Sequence, residues 1–391
     1  MHRFVGIVTV GRSDFGIYGS LLQLLRSESD PGYGLYVGGA HLARDFGNTL
    51  AEIEATEHPI VDIVSTVAED DSEAAMADSM TRGISGFFTA FGRRRPDLIL
   101  LLGDRYEMLA AALAGTMHGI PMAHIHGGEV SEGAMDNAFR HSITKLSHLH
   151  FVSTALSARR VELMGEDPER IFVTGAPALD NVLTMPRLTR GELADGFGIP
   201  RDGAYLLATF HPATLEPGSA RVQIRALIEA LEDAGLPVVF TSANADPGGR
   251  AINAEIRKCA AATAGVTLVE SFGLIPYFSA MSHASAMVGN SSSGIIEAAS
   301  FRLPVVNVGS RQAGRERSAN ILDSECSRES IRAKIGTALS ADFRAGLKDL
   351  VNIYGDGNAA PRIMSVLKSA VLNGTLLKKR FHVASFEGRR R

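Results

Sequence analysis

Tryptophan is absent from the 391 residues, and cysteine occurs only twice, at Cys259 and Cys326. Without Trp there is no Trp-based platform on which a sugar ring could stack. Neither cysteine has a metal-type neighbour pattern, and two free thiols fit a reducing cytosol. Long apolar runs are also missing. None approaches the ~20 residues that span a bilayer, and the apolar start Met1–Val10 is too short for a signal peptide and lacks a cleavage-like end. The expectation is a cytoplasmic protein with no membrane partner. Charge of one sign is not in excess: the net charge is −4, which gives no electrostatic case for nucleic acid. The one basic cluster, Lys378-Lys379-Arg380 with Arg389-Arg390-Arg391, reads as a frayed, solvated tail. A Walker A sequence and a GxSxG elbow are both lacking, which argues against P-loop ATP chemistry and α/β-hydrolase chemistry.

What is present is ample core. Hydrophobic residues make up 45% and charged residues 21% of the chain, and the length suits about two domains. The chain is organised around the stretch Leu98–Lys145. Two apolar runs of strand length, Leu98–Leu102 and Ile120–Ile125, read as buried parallel strands. The first exits into Gly103-Asp104-Arg105, the second into His126-Gly127-Gly128-Glu129, and Asp136, Arg140 and His141 follow. Chemistry in open α/β sheets gathers where parallel strands end. Ionisable groups crowded at two such ends therefore predict one wall of an active site.

The same alternation runs along the whole chain. Phe4–Val10 predicts a strand that ends in Gly11-Arg12-Ser13-Asp14-Phe15-Gly16 before a helix over Ile17–Leu25. That turn is either a tight βα connection or a phosphate-holding loop at a helix start; Arg12 and Asp14 favour the ligand. Further strands are expected at Leu35–Gly39, Leu149–Val152 and Ile171–Thr174. Helices are expected at Asn48–Glu57, Ala74–Arg94 and Ala155–Met164, with a loop at His41–Gly47. Composition changes at Val182–Asp202, rich in Gly and Pro, and the interdomain connection is placed near its start. Strands then restart at Ala204–Thr209, Val238–Thr241, Val266–Val269, Ala286–Val288 and Val305–Val308. Between and after them, helices are expected at Ala220–Ala234, Ala251–Ala262, Pro276–Ser282, Ile295–Phe301, Ser330–Ala338 and Asn358–Ser369. The pattern predicts two doubly wound parallel α/β domains with a cleft between their strand ends.

In the second half the strongest motif is Val288–Glu297, VGNSSSGIIE. A strand ends, and a Ser/Gly turn opens a helix whose N–H groups and hydroxyls suit a diphosphate. Glu297, one turn inside, can accept two hydroxyls of a ribose; ordinary Ser capping is the structural alternative. Phe210-His211-Pro212 places a histidine at another strand end, beside Asn244, Asp246 and the serine loop. One of Arg311, Arg315 and Arg317 can pair with phosphates bidentately, the others reading as surface ion pairs. Phe272-Gly273 is a candidate support for a nucleobase. No metal-ligand pattern is evident: His124 and His126 alternate along a strand and would face opposite ways, and His148 and His150 behave likewise.

Taken together, GDRYEMLAAAL, IPMAHIHGGE, RHSITKLSHLHF, TGAPALDN, TFHP, VGNSSSGIIE and the run to GSRQAGRERSANIL resemble the hydrolysing UDP-N-acetylglucosamine 2-epimerases of sialic and legionaminic acid synthesis, in order from about Gly11 to Asn320. The resemblance implies two Rossmann-like domains in a glycosyltransferase-B arrangement with the active site in the interdomain cleft. The domains would be 1–181 plus about 365–391, on the sugar side, and 182–364, on the nucleotide side. It implies release of UDP and of the free 2-epimeric sugar, by anti elimination across C1–C2 to a glycal and then addition of water. It assigns Arg12, Arg105, His211, Asn244, Ser291, Ser292, Glu297 and Arg311 to the nucleotide diphosphate, and matches Asp104 and Asp136 to acidic residues of the catalytic set. With Asp104 and Asp136, His126 and Glu129 complete the candidate catalytic group. No cofactor and no metal are expected, and a dimer or tetramer is. One departure stands out: several family members read HIEGGE where this chain reads HIHGGE. Either the imidazole of His126 substitutes for the carboxylate, at an unperturbed pKa of ~6.5, or the change marks a different sugar. The branch acting on nucleotide-activated 2,4-diacetamido-2,4,6-trideoxy sugars looks similar.

Three readings compete with this one. A non-hydrolysing 2-epimerase would return the UDP-sugar, and its relatives tend to have GDT where this chain has Gly103-Asp104-Arg105. A glycosyltransferase of the same fold would need an acceptor site, and none is legible. A pure nucleotide-sugar sensor would have no use for Asp104, Glu129 and Asp136.

Overall fold

The computed structural model describes residues 3–28, 30–43, 49–66, 72–132, 135–212, 219–243 and 248–383. The chain divides into two compact units. The first comprises Met1–Glu129, Asp136–Asn181 and Tyr354–Arg391; the second comprises Val130–Met135 and Val182–Ile353.

The first unit is built on a seven-stranded parallel sheet: β1 Phe4–Thr9, β2 Gly32–Gly38, β3 Ile60–Val64, β4 Leu98–Leu102, β5 Met122–Ile125, β6 Leu149–Val152 and β7 Ile171–Val173, in the order β3-β2-β1-β4-β5-β6-β7. The second holds a six-stranded parallel sheet: β8 Leu206–Thr209, β9 Val238–Thr241, β10 Val266–Val269, β11 Ala286–Gly289, β12 Val305–Val308 and β13 Ile321–Ser324, in the order β10-β9-β8-β11-β12-β13. The strand order reverses between β1 and β4 in one sheet and between β8 and β11 in the other. A doubly wound sheet opens its ligand crevice at such a reversal.

Side chains of successive strand residues point to opposite faces, and the central strands of the first sheet are buried on both. Leu98, Leu100 and Leu102 join Val5, Ile7, Tyr18, Leu21 and Leu25 on one face, while Ile99 and Leu101 join Val8, Val10, Phe87, Phe91 and Met108 on the other. The helix Ala359–Ser369 belongs to the first face through Ala360, Ile363, Met364 and Leu367. In the second unit, Leu206, Ala208, Val238, Phe240, Ala286 and Val288 cluster with Ile224, Leu227, Ile252 and Ile331 of the flanking helices.

Some local expectations need correction. The first helix begins at Arg12, not Ile17, because Gly11 adopts the extended N-cap conformation and the N–H groups of Asp14 and Phe15 already bond to its carbonyl. Asp14 thus lies in the first helical turn. The stretch taken as a connection after Val182 contains the helix Arg190–Phe197, with a Thr189/Glu192 capping box and a left-handed Gly198 closing it. The helix expected at Ile295–Phe301 is a short turn, Ser292–Ile296, followed by a 3-10 turn Ala298–Phe301. Nor is Lys379 frayed. Its ammonium lies 2.8 Å from Glu166 and donates to the carbonyls of Lys145 (2.6 Å) and Ser147 (2.5 Å). Burial opposes ionisation of Glu166, but hydrogen bonds from His150, Lys145 and Lys379 prevail and pull its carboxyl down to about 2. Arg389–Arg391, Asp246 and Arg44–Gly47 of the expected loop lie outside the described residues. Among the described residues, no helix is long and apolar enough to cross a membrane.

Candidate functional site

In the first unit the exits of β4 and β5 converge on one guanidinium. Arg140 sits one turn into the helix Asp136–Leu146 and is 2% exposed. Its Nη2 donates to Asp104, its Nη1 donates to the carbonyl of His126 at 3.0 Å, and Nη1 stands 3.9 Å from Glu129 Oε2. Buried ion pairs are weak evidence for stability, because desolvation consumes the Coulomb gain. A buried cation that ties two carboxylates and a loop carbonyl is better read as a fixture of a site.

The β5 exit is bent to serve that fixture. His126 has φ 66°, a left-handed conformation that costs a residue with a β-carbon ~1–2 kcal/mol. Its N–H donates to Phe151 O at 3.0 Å. Gly128, at φ 74°, has no room for a side chain: a β-carbon would stand 2.2 Å from Ser157 O. The turn returns Glu129 to the imidazole, with Nδ1 and Oε1 2.6 Å apart, and Ser153 Oγ donates to the same Oε1 at 2.7 Å. The expected alternation of His124 and His126 therefore stops at Ile125, the last residue of β5. His124 turns inward, to Gly103 O (2.8 Å) and Thr144 Oγ1 (3.1 Å), and burial drives its pKa down to about 3. It is a neutral structural group.

At the β1 and β4 exits, Arg105 lies with its Nε 3.2 Å from Oε2 of the buried Glu107. Asp14 is 5% exposed; its carboxyl accepts from Val10 N–H (3.4 Å) and Ser13 Oγ (3.3 Å). Burial raises its pKa to about 7, with Glu107 and Asp104 adding to the rise and Arg105 opposing it. Arg12 is half-buried, its Nε 3.6 Å from Glu52. Asp136 opens the helix that carries Arg140.

The second unit locks its own two strand exits together. Gly289, at φ 138°, crosses so close to β8 that a β-carbon would stand 1.9 Å from Thr209 O. Asn290 then exchanges bonds with His211: its Oδ1 accepts from His211 N–H (2.7 Å) and its Nδ2 donates to His211 O (2.8 Å). Gln312, beside Arg311, donates to Asn290 O at 3.0 Å. Ser291 caps the following turn by accepting from Ser293 N–H at 3.3 Å, and the half-buried Tyr277 lies beside Ser293, Thr209 and Ser291. His211, Ser291, Ser292 and Arg311 are thus carried on connected backbone, with the buried Glu297 one turn on. Asn244 lies outside the described residues. Of the other arginines, Arg317 makes the expected partly exposed ion pair, with Asp323 at 3.1 Å, whereas Arg315 holds Val130 O (3.1 Å) and Ser131 (3.3 Å).

Ser153 and Tyr277 escaped sequence reasoning. Ser153 follows β6 directly, so the strand-exit argument that found Asp104 would have found it. Tyr277 sits in an apolar helical pattern and reads as core. Arg140 was visible as part of the wall but not as its centre, because the contacts that make it so are distant in sequence. Among the described residues, no group of three or more His, Cys, Asp or Glu is placed to hold a metal ion.

Comparison with known proteins accords with this architecture. The sequence model of the family described as UDP-N-acetylglucosamine 2-epimerase matches residues 25–368. The chain is 37% identical over 379 residues to a UDP-N,N'-diacetylbacillosamine 2-epimerase (hydrolyzing) of Legionella pneumophila, covering 97% of this chain and 99% of the relative. It is 36% identical over 325 residues to a GDP/UDP-N,N'-diacetylbacillosamine 2-epimerase (hydrolyzing) of Campylobacter jejuni, covering 83% and 84%. The crystal structure of a UDP-GlcNAc 2-epimerase from Neisseria meningitidis bound to UDP-GlcNAc superposes with a TM-score of 0.79 at 18% identity, covering 94% of this chain and 99% of that one. At that identity the likeness establishes the fold.

Proposed function

The chain belongs to the UDP-N-acetylglucosamine 2-epimerase family, and from that premise we propose that it is a hydrolysing 2-epimerase. It converts a nucleoside-diphosphate-activated 2-acetamido sugar and water into the free 2-epimer and the nucleoside diphosphate. The observation that carries the reading is the Asp104–Arg140–His126–Glu129 cluster at adjacent strand exits of the first sheet. Elimination removes the C2 proton to a base while the C1–O bond breaks and its electron pair leaves with the diphosphate, giving a C1=C2 glycal. Water then adds its hydroxyl at C1, and a second group returns a proton to the opposite face of C2. Asp104 and His126 carry these proton steps. Asp136 holds ring hydroxyls and Glu129 serves His126. Arg12, Arg105, His211, Asn244, Ser291, Ser292 and Arg311 take the diphosphate, and Glu297 takes the ribose.

Relatives at 37% and 36% identity named for diacetylbacillosamine nucleotides favour a 2,4-diacetamido-trideoxy sugar over N-acetylglucosamine. Two free cysteines support the cytosol, and the family resemblance supports a homo-oligomer feeding sialic or legionaminic acid synthesis. The test is incubation in D2O with UDP-N-acetylglucosamine and, separately, UDP-diacetylbacillosamine, with no acceptor. Free UDP and a 2-epimer deuterated at C2 are expected. Asp104→Asn and His126→Ala should each lose at least ~100-fold in turnover while still binding UDP. A product still joined to UDP would indicate the non-hydrolysing reaction, no turnover without an acceptor a glycosyltransferase, and product without deuterium would exclude the elimination route.

A further inference from the structure

His126 is held as few histidines are. Its backbone is fixed in a left-handed conformation by Phe151 O on one side and Arg140 on the other, and the residue is 5% exposed. Three residues on, Glu129, 3% exposed, presents one carboxylate oxygen to both His126 Nδ1 (2.6 Å) and Ser153 Oγ (2.7 Å). A carboxylate only accepts hydrogen bonds. The Ser153 hydroxyl therefore spends its proton on Glu129, and the bond to Nδ1 requires that Nδ1 carry the ring's proton. No hydrogen bond among the described residues engages Nε2. Among the described residues, charged groups around this pair include Arg140, from the helix Asp136–Leu146, Asp104 beyond it, from the β4 exit, and Arg160, which donates to the neighbouring Gly128 carbonyl at 3.4 Å.

We propose that Ser153 and Glu129 are positioning residues that hold His126 as the Nδ1–H tautomer, so that Nε2 is the bare nitrogen that takes the proton from C2 of the sugar. This rests on the proton-transfer role given to His126 above. The step balances simply: the Nε2 lone pair takes the C2 proton, the C2–H electron pair becomes the C1=C2 bond, and the C1–O pair departs with the diphosphate. The resulting imidazolium keeps Nδ1–H on the Glu129 carboxylate, which stabilises the charge as it forms. A left-handed backbone at a residue other than glycine persists only where its surroundings impose it, and such strain collects at functional sites. Here it turns the ring back over Glu129.

The tautomer can be read directly, by long-range 1H–15N NMR on protein labelled with 15N-histidine, with His126→Gln identifying the signal. At pH 8, where an ordinary imidazole is neutral, Nδ1 is expected protonated and Nε2 bare. Glu129→Gln should scramble or invert that pattern, and Ser153→Ala should keep it. Kinetically, Glu129→Gln should lose at least ~100-fold in kcat with little change in KM. The acid limb of its kcat–pH profile should move to lower pH, since loss of a neighbouring anion lowers an imidazole pKa. Ser153→Ala should lose about 3–10-fold, the scale of one hydrogen bond, and move the limb upward, because the hydroxyl no longer competes for the carboxylate. Slow variants with an unmoved pH profile, as packing loss alone would give, overturn the proposal. Consumption of a sugar nucleotide by a protein whose His126 is the Nε2–H tautomer overturns the relay alone. The expected tautomer without consumption of either sugar nucleotide overturns the functional reading, and the role of Nε2 with it.

Discussion

Asp14 shows how much one residue's environment can move. Its carboxyl is buried at the β1 exit, and burial, with Glu107 and Asp104 nearby, lifts its pKa from 3.8 to about 7 against the pull of Arg105. The folded state therefore binds this proton between pH about 4 and 7, where the unfolded chain has released it. Stability is greatest below the unfolded value and falls as pH rises through the folded one, by up to about 4 kcal/mol for a shift of this size. Asp14→Asn removes that dependence, because an amide oxygen can still accept from Val10. Its melting temperature should exceed that of the native sequence at pH 8, by a margin that narrows at pH 5 and disappears below about pH 4. Parallel pH curves for the two proteins would mean Asp14 ionises normally. At this scale, residues at strand exits were legible because the sequence shows where a strand stops: Asp104, Arg105 and His126 follow runs of aliphatic residues. What each touches was not legible. Ser153 is 24 residues from Glu129 and Arg140 is 36 from Asp104, and only the fold brings them together.

Elements buried on both faces announced themselves, whereas two of the four edge strands did not. β4 is an unbroken LILLL whose five residues are all buried. The edge strands β3, IVDIV, and β13, ILDS, are mostly half-exposed and carry an aspartate, so neither period nor composition sets them apart. The helix Arg190–Phe197 was obscured by Gly and Pro around it, although Thr189 and Glu192 spell a capping box. Glycines at two strand exits allow a comparison at this level. Gly103 has φ 76°, and a β-carbon there would meet nothing within 4 Å, whereas at Gly289, φ 138°, that carbon would stand 1.9 Å from Thr209 O. Gly103→Ala should cost only the conformational penalty of about 1 kcal/mol. Gly289→Ala must also push β8 and β11 apart and disturb the Asn290–His211 exchange, so it should cost several-fold more, ~3 kcal/mol or above. Urea denaturation of the two variants checks this; equal midpoints would show that the β11 exit yields freely.

The first unit is completed by the last part of the chain. After Ile353 the chain re-enters it where Gly175 and Gly355 meet, with Ala176 N–H donating to Tyr354 O at 2.8 Å. A β-carbon on Gly355 would stand 3.1 Å from Gly175 Cα, so two glycines suit the approach. The helix Ala359–Ser369 is anchored at both ends. Asp180 accepts from the N–H groups of Ala359 (2.9 Å) and Ala360 (2.6 Å), where a carboxylate also meets the positive end of the helix dipole. At its far end Arg3 donates to the carbonyls of Leu367, Lys368 (3.0 Å) and Ala370 (2.6 Å). Between the anchors, Ile363 and Leu367 are fully buried against Tyr18, Leu21 and Leu25. This helix is therefore core of the first unit despite its place near the end of the sequence. Leu367→Ala should cost about 2–5 kcal/mol through the cavity it leaves. Asp180→Ala should cost about 0.5–2 kcal/mol, the range for a lost N-cap. The two substitutions act at opposite ends of one helix on different partners, so the double variant should lose nearly the sum. Amide hydrogen exchange locates the damage: β1, the helix Arg12–Ser27 and Ala359–Ser369 should lose protection together, while β8 to β12 keep theirs. Uniform loss of protection across both sheets, or none in β1, would mean that the helix is not part of the first unit's cooperative core.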